Sequence, residues 1–121
     1  MRFDRYTVVV LTLRPDAPAM TEAEASDLQD AHLAYRANLV SQGLVLAGGP
    51  LVDQDDERYR GLSIWSVDQQ TARTHSEADP AVRAGRLAVE VMTWMTPAGT
   101  LHFPKTRAPE SVAESTADRR P

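Results

Sequence analysis

The sequence has no cysteine, no long apolar run and no excess of basic residues, and each absence closes a class of function. Without thiols there can be no disulfide framework, thiolate metal site or cysteine nucleophile, and a reducing cytoplasm is the simplest setting. The chain opens Met1-Arg2-Phe3-Asp4-Arg5 and then holds an apolar run only from Val8 to Leu11. That is too short for the hydrophobic region of a signal peptide or for a membrane span, so a soluble, unexported protein is expected, with no membrane partner. A net charge of −4 argues against a nucleic-acid partner, because phosphate backbones are bound by clustered Lys and Arg. No glycine-rich phosphate loop, serine nucleophile elbow or paired-histidine helix occurs, and neither a cofactor nor a metal is expected.

What is present fits one domain. A chain of 121 residues can bury enough surface to fold without staples, and its 42% hydrophobic content is diluted by a polar C-terminal stretch. The domain is expected over residues 1–96. The extension over 97–121 holds Pro104, Pro109 and Pro121 among charges, and it cannot offset its own ordering entropy by burial. Leu101-His102-Phe103 is the part expected to dock, and beyond about Lys105 the chain is expected to be extended or disordered unless a partner subunit holds it.

Tyr6 to Leu13 is β-branched and apolar on both alternating faces, which reads as a central strand covered from two sides. Pro15 and Pro18 break the pattern into a loop. Thr21-Glu22-Ala23-Glu24 has capping-box spacing, so a helix starts there. Its apolar stripe runs Ala25, Leu28, Ala31, Tyr35 and Leu39, with Glu22, Asp27, Asp30 and Arg36 largely on the other side, and Gly43 stops it. Leu44 to Ala47 forms a second strand ended by Gly48-Gly49-Pro50. A hydrophilic connection leads to a third strand over Gly61–Val67. Asp68 caps a second helix to about Ala78, Asp79-Pro80 opens a short helical turn to Ala84, and Gly85 ends it. Leu87 to Met95 is the last strand, with Leu87, Val89, Val91 and Met95 on one face.

The order β-α-β-β-α-β is the split βαβ pattern of a ferredoxin-like fold: an α+β domain with both helices on one face of a four-stranded antiparallel sheet. Strands one, three and four nevertheless carry apolar residues on both faces. An uncovered second face would expose more apolar surface than soluble monomers tolerate, so a homodimer packed sheet to sheet is expected.

His32 follows Leu28 by four residues and precedes Tyr35 by three, which sets an imidazole on the inward side of the helix. Two roles suit it: a general acid or base, or a packed histidine bonded to a carbonyl. Asp79 before Pro80 is suited to orient that imidazole, and equally to cap the helical turn. Gly48, Gly49 and Pro50 either line a cavity or simply end a strand, and Tyr35 and Trp65 are further candidates for contact with a small ligand. Trp65 and Trp94 also suit sheet core or dimer contact. Asp53, Asp55 and Asp56 lack the ligand order of a calcium loop, and His75 and His102 lack a second ligand at metal spacing.

Three segments in order carry a further signal: Ala31-His32-Leu33-Ala34-Tyr35, Leu46-Ala47-Gly48-Gly49-Pro50-Leu51 and Ala78-Asp79-Pro80-Ala81-Val82-Arg83-Ala84-Gly85, followed by a strand ending in Trp94. Their order and spacing resemble the YCII-related family of the dimeric α+β barrel superfamily, over roughly Tyr6 to Met95. The resemblance implies a ferredoxin-like fold, a homodimer built by packing sheets, and a site containing His32 and Asp79. The wider superfamily includes small-molecule lyases and isomerases, and monooxygenases acting on aromatic or polyketide-like substrates. The doubled glycine before Pro50, Ala81 in place of a larger apolar residue and the long tail depart from the pattern, so pocket shape does not carry over. The expected function is therefore a cofactor-independent lyase or isomerase moving a proton on a cyclic or aromatic substrate. Its rivals are a non-catalytic dimeric module that binds a small ligand or stabilises a partner, and a cofactor-free monooxygenase.

Overall fold

A computed structural model describes residues 1–116. In chain order its elements are β1 (Phe3–Leu13), α1 (Glu22–Ser41), β2 (Val45–Pro50), β3 (Tyr59–Trp65), α2 (Gln69–Glu77), α3 (Pro80–Arg83), β4 (Leu87–Pro97) and α4 (Val112–Ser115). The strands form one antiparallel sheet in the order β2-β3-β1-β4, so β1 is central as its two-sided apolar pattern requires.

Local signals set the helix ends. Thr21 caps α1 with the full capping box, its hydroxyl accepting from the Glu24 amide at 3.1 Å while the Glu24 carboxylate accepts from the Thr21 amide at 3.0 Å. Gly43 and Gly85 follow α1 and α3 at positive φ, 77° and 79°, where a Cβ would be strained. Asp68 caps α2 by accepting from the Thr71 amide.

Cross-strand register sorts the sheet residues onto two faces. Val9, Leu11, Val45, Trp65 and Leu87 meet Leu39, Ala72 and Ala81 of the helices in one buried cluster, with Val89 and Val91 packed against it. Met95 lies on the same face as Leu87, Val89 and Val91 by unbroken alternation, but near the end of β4 it is exposed. On the opposite face the pairs Val10 with Leu62, Val8 with Met92 and Tyr6 with Trp94 lie side by side. There Leu62, Met92 and Trp94 keep 38%, 42% and 42% of their surface in solvent.

Three expectations change. Gly48-Gly49-Pro50 does not end β2 but forms its second half, paired with Ser63, Leu62 and Gly61. Glycine is needed at 48 for space, since a Cβ there would lie 3.1 Å from the Ser63 Cβ and 3.3 Å from the Leu62 carbonyl oxygen. Gly48→Ala is expected to cost about 1 kcal/mol through overpacking, read as a lower urea midpoint at unchanged slope. An unchanged midpoint would mean that β2 shifts to make room.

On α1, the buried stripe differs from the apolar one. Ala31 is exposed, whereas Arg36, assigned to the outer side, keeps only 14% of its side chain in solvent.

The extension is not simply loose. Phe103 docks edge-on to Tyr6 with ring centroids 5.5 Å apart, and the extended residues after it run along the outer side of α1. The one-turn α4 is tied down where the Val112 amide donates to Asp30 Oδ1 at 2.8 Å. Within this chain α1 contacts the segment through the Asp30 bond to Val112; residues 117–121 lie outside the described part.

Candidate active site

Three elements bring the polar groups together. Helix α1 carries His32 and Arg36 four residues apart, hence on one face. The α2–α3 junction supplies Asp79, whose side chain is fully buried. Its position before Pro80 makes it the cap of α3, with Oδ1 accepting from the Ala81 amide at 2.9 Å. The same carboxylate lies 2.9 Å and 2.8 Å from His32 Nδ1 through Oδ1 and Oδ2, and Oδ2 accepts from Arg36 Nε at 2.9 Å. The two roles weighed for Asp79, capping and facing His32, are therefore held at once. Capping fixes the carboxylate, and the fixed carboxylate orients the ring.

That arrangement assigns the imidazole proton. A carboxylate surrounded by the Arg36 and Ala81 donors can only accept, so Nδ1 carries hydrogen and the neutral ring keeps its free lone pair on Nε2. His32 keeps 14% of its side chain in solvent and borders a cavity of about 460 Å³ between α1, from Ala25 to Val40, the sheet and the tail. Gly48, Gly49 and Pro50 line the same cavity.

Tyr35 and Trp65, the other candidates for ligand contact, are not among the residues that line it. The Tyr35 hydroxyl donates to the His75 carbonyl at 2.7 Å, tying α1 to the end of α2, and burial followed by the Asp79 charge raises its pKa. Trp65 is fully enclosed, donates from Nε1 to Ser63 Oγ at 2.8 Å, and stacks on His75. Both rings shape the floor beneath the site without reaching it.

Arg36 is the residue the sequence reading missed. Its guanidinium lies 5.8 Å from the centre of the Trp65 ring and pairs with Asp79. Burial lowers its pKa and the Asp79 charge opposes that shift, but a guanidinium stays protonated in any protein setting. Spacing alone contained the signal, since position 36 follows His32 by four. Its charge had assigned it to solvent. Among the described residues no group of three His, Cys, Asp or Glu side chains is placed to hold a metal ion.

A family model of the YCII-related domain matches residues 8–95, which contain all of β2, β3, α2 and α3 and every polar group just described. The chain belongs to the YCII-related family. No curated protein matches it in sequence. Among solved structures, 5-chloro-2-hydroxyhydroquinone dehydrochlorinase (TftG) from Burkholderia phenoliruptrix AC1100, in complex with 2,5-dihydroxybenzoquinone, shares the fold. It has a TM-score of 0.55 and 22% identity, covering 74% of this chain and 92% of that one. An Arabidopsis thaliana protein is 14% identical over 81% of this chain and 100% of its own, with a TM-score of 0.41, too loose to bear on the fold. In this YCII-related chain the histidine borders the cavity and lies within hydrogen-bond distance of the buried Asp-Pro aspartate behind it.

Proposed function

We propose that this YCII-related protein is a cofactor-independent small-molecule enzyme of lyase or isomerase type, acting on a cyclic or aromatic substrate. The observation that carries the reading is the contact of His32 Nδ1 with both Asp79 oxygens, at 2.9 Å and 2.8 Å, in a ring that borders the cavity. The Nε2 lone pair takes a proton from the substrate, and Asp79 stabilises the imidazolium that forms. The imidazolium then returns the proton at another carbon, which is isomerisation, or it remains on the enzyme while a leaving group departs, which is elimination. The dehydrochlorinase activity named for TftG, and the dihydroxybenzoquinone in its complex, support elimination on a six-membered ring.

The test is chloride release from 5-chloro-2-hydroxyhydroquinone, together with deuterium exchange into related cyclic enols, by the wild type and by His32→Gln. Turnover that survives the substitution in a folded protein sinks proton transfer by His32. Ligand binding without any turnover, unaffected by the substitution, would support the binding-module reading instead.

We further propose that the working unit is a homodimer packed through the sheet face bearing Leu62, Met92 and Trp94. That patch spans three strands through Leu62, Val10, Val8, Met92 and Trp94, with Glu90 beside Met92 as the charged residue at its border. Light scattering at micromolar concentration is expected to give twice the 13.3 kDa chain mass, and Met92→Lys with Trp94→Glu is expected to halve it. A monomeric wild type would end the dimer reading. A cytoplasmic setting is proposed on the cysteine-free composition.

A further inference from the structure

The charges around the cavity are one-sided. His32, Arg36, Arg60 and Arg86 line it, and none of its described lining residues is Asp or Glu. Asp79, reached from the cavity only through His32 and Arg36, answers one of the three guanidiniums. With the imidazole neutral, two positive charges have no counter-charge among the described residues that line the cavity, in a chain whose own net charge is −4.

Each guanidinium also holds unused donors. Arg36 spends Nε on Asp79, yet its Nη1 and Nη2 are shut off from water and bond nothing among the described residues. Arg60 spends Nε on the Glu57 carbonyl at 2.6 Å and makes no ion pair there. Arg86 sits just before β4 with its backbone held by Ala81 and Arg14, and its side chain has no hydrogen bond or ion pair among the described residues. Arg36 thus keeps a positive charge that Asp79 only partly satisfies, whereas the partly exposed Arg60 and Arg86 hold donors that a ligand in the cavity can reach.

We infer that the cavity selects an anion, a planar carboxylate or an ionised phenol or enol, whose negative oxygens are met by Arg86 and Arg60 on the wall and by the charge of Arg36 behind His32. Guanidiniums match planar oxyanions with paired N–H donors, and a positive recess in an otherwise acidic surface focuses the field inward. The inference deepens the proposed function and rests on it for the role of the anion: removal of a proton by His32 adds negative charge to the ring system, where the fixed guanidiniums already offset it. The tail contributes closure, since Ala108, Pro109 and Ser115 complete the lining and reduce solvent screening of those charges.

The probes are benzoate and its neutral isostere benzamide, titrated into the full-length wild type while the His32 ring and Arg Nε–H resonances are followed by NMR. Benzoate is expected to shift the His32 ring signals and to bind about tenfold or more tightly than benzamide. Arg86→Gln, which disturbs no hydrogen bond of the fold, is expected to remove most of that preference at an unchanged melting temperature. Equal affinity for the two probes, or benzoate that leaves the His32 signals unmoved at saturating concentration, overturns the anion site. His32→Gln separates the two readings. A benzoate preference with turnover surviving that substitution sinks proton transfer alone, and an absent preference with turnover abolished by it sinks anion selection alone.

Discussion

Converting His32 to Gln lowers turnover by about two to four orders of magnitude while the protein stays folded, the scale on which a positioned general acid or base contributes. Glutamine fills similar space and its amide N–H can still donate to Asp79, so the Asp79 network keeps a donor where His32 Nδ1 stood, 2.8 Å from Oδ2. What it lacks is a ring nitrogen that can take a proton from the substrate and hand it on. The loss should therefore appear in kcat, with little change in affinity for a substrate analogue, and the limb of the pH–rate profile set by the imidazole should vanish. A variant that loses affinity and rate in proportion would indicate that His32 only shapes the cavity.

Replacing Asp79 has the larger effect on stability, because one carboxylate serves three donors. It accepts from Arg36 Nε, from the Ala81 amide and from His32, with no exposure to solvent. Asp79→Ala strips the counter-ion from a buried guanidinium, and breaking a buried pair from one side costs about 3–5 kcal/mol. In a domain of this size that is a fall of about 10–20 °C in melting temperature. Adding Arg36→Met should recover part of the loss, since the uncompensated charge then goes too. A fall of only a few degrees, or no recovery in the double variant, would show that Asp79 does not hold Arg36 in place energetically.

Asp79→Asn keeps a capping group but removes the counter-charge of Arg36, so part of the stability loss remains and its chemistry is read in the folded protein below the lowered melting temperature. Asparagine caps a helix as well as aspartate does, so the turn at Pro80 survives. Its amide nitrogen, however, can present hydrogens to His32 Nδ1, which moves the ring proton to Nε2 and removes the base from the cavity. The expected drop in turnover is about three to four orders of magnitude, as when an amide replaces the carboxylate behind a catalytic imidazole. Retained activity in this variant would mean that the ring's tautomer is set by some other neighbour.

Much of this molecule follows from short-range rules that operate along the chain. The capping box at Thr21 and Glu24, the cap at Asp68, the Asp79-Pro80 start and the positive-φ glycines 43 and 85 delimit the helices by local hydrogen bonding and sterics. Alternation of apolar residues in β1 made it central, because only a strand flanked on both sides hides two apolar faces. His32 and Asp79 could each be singled out from their immediate surroundings.

Tertiary structure alone decided how those groups combine. The residues joined at Asp79 lie 47 and 43 positions away in the chain, and no local rule measures that separation. Arg36 shows the limit most clearly. Charge assigns an arginine to water by default, and only a buried counter-charge delivered by another element makes the inward position favourable. Gly48 and Gly49 read as a strand end by composition, yet pairing with β3 drew them into the sheet, because ladder hydrogen bonds outweigh a weak local preference. Whether the polar tail stays near the domain was likewise settled by docking, through Phe103 on Tyr6 and Val112 on Asp30. Sequence determined the elements and nominated the histidine and the aspartate; folding decided which charges face one another across the cavity, because electrostatic and packing energies depend on distances in space and not on positions along the chain.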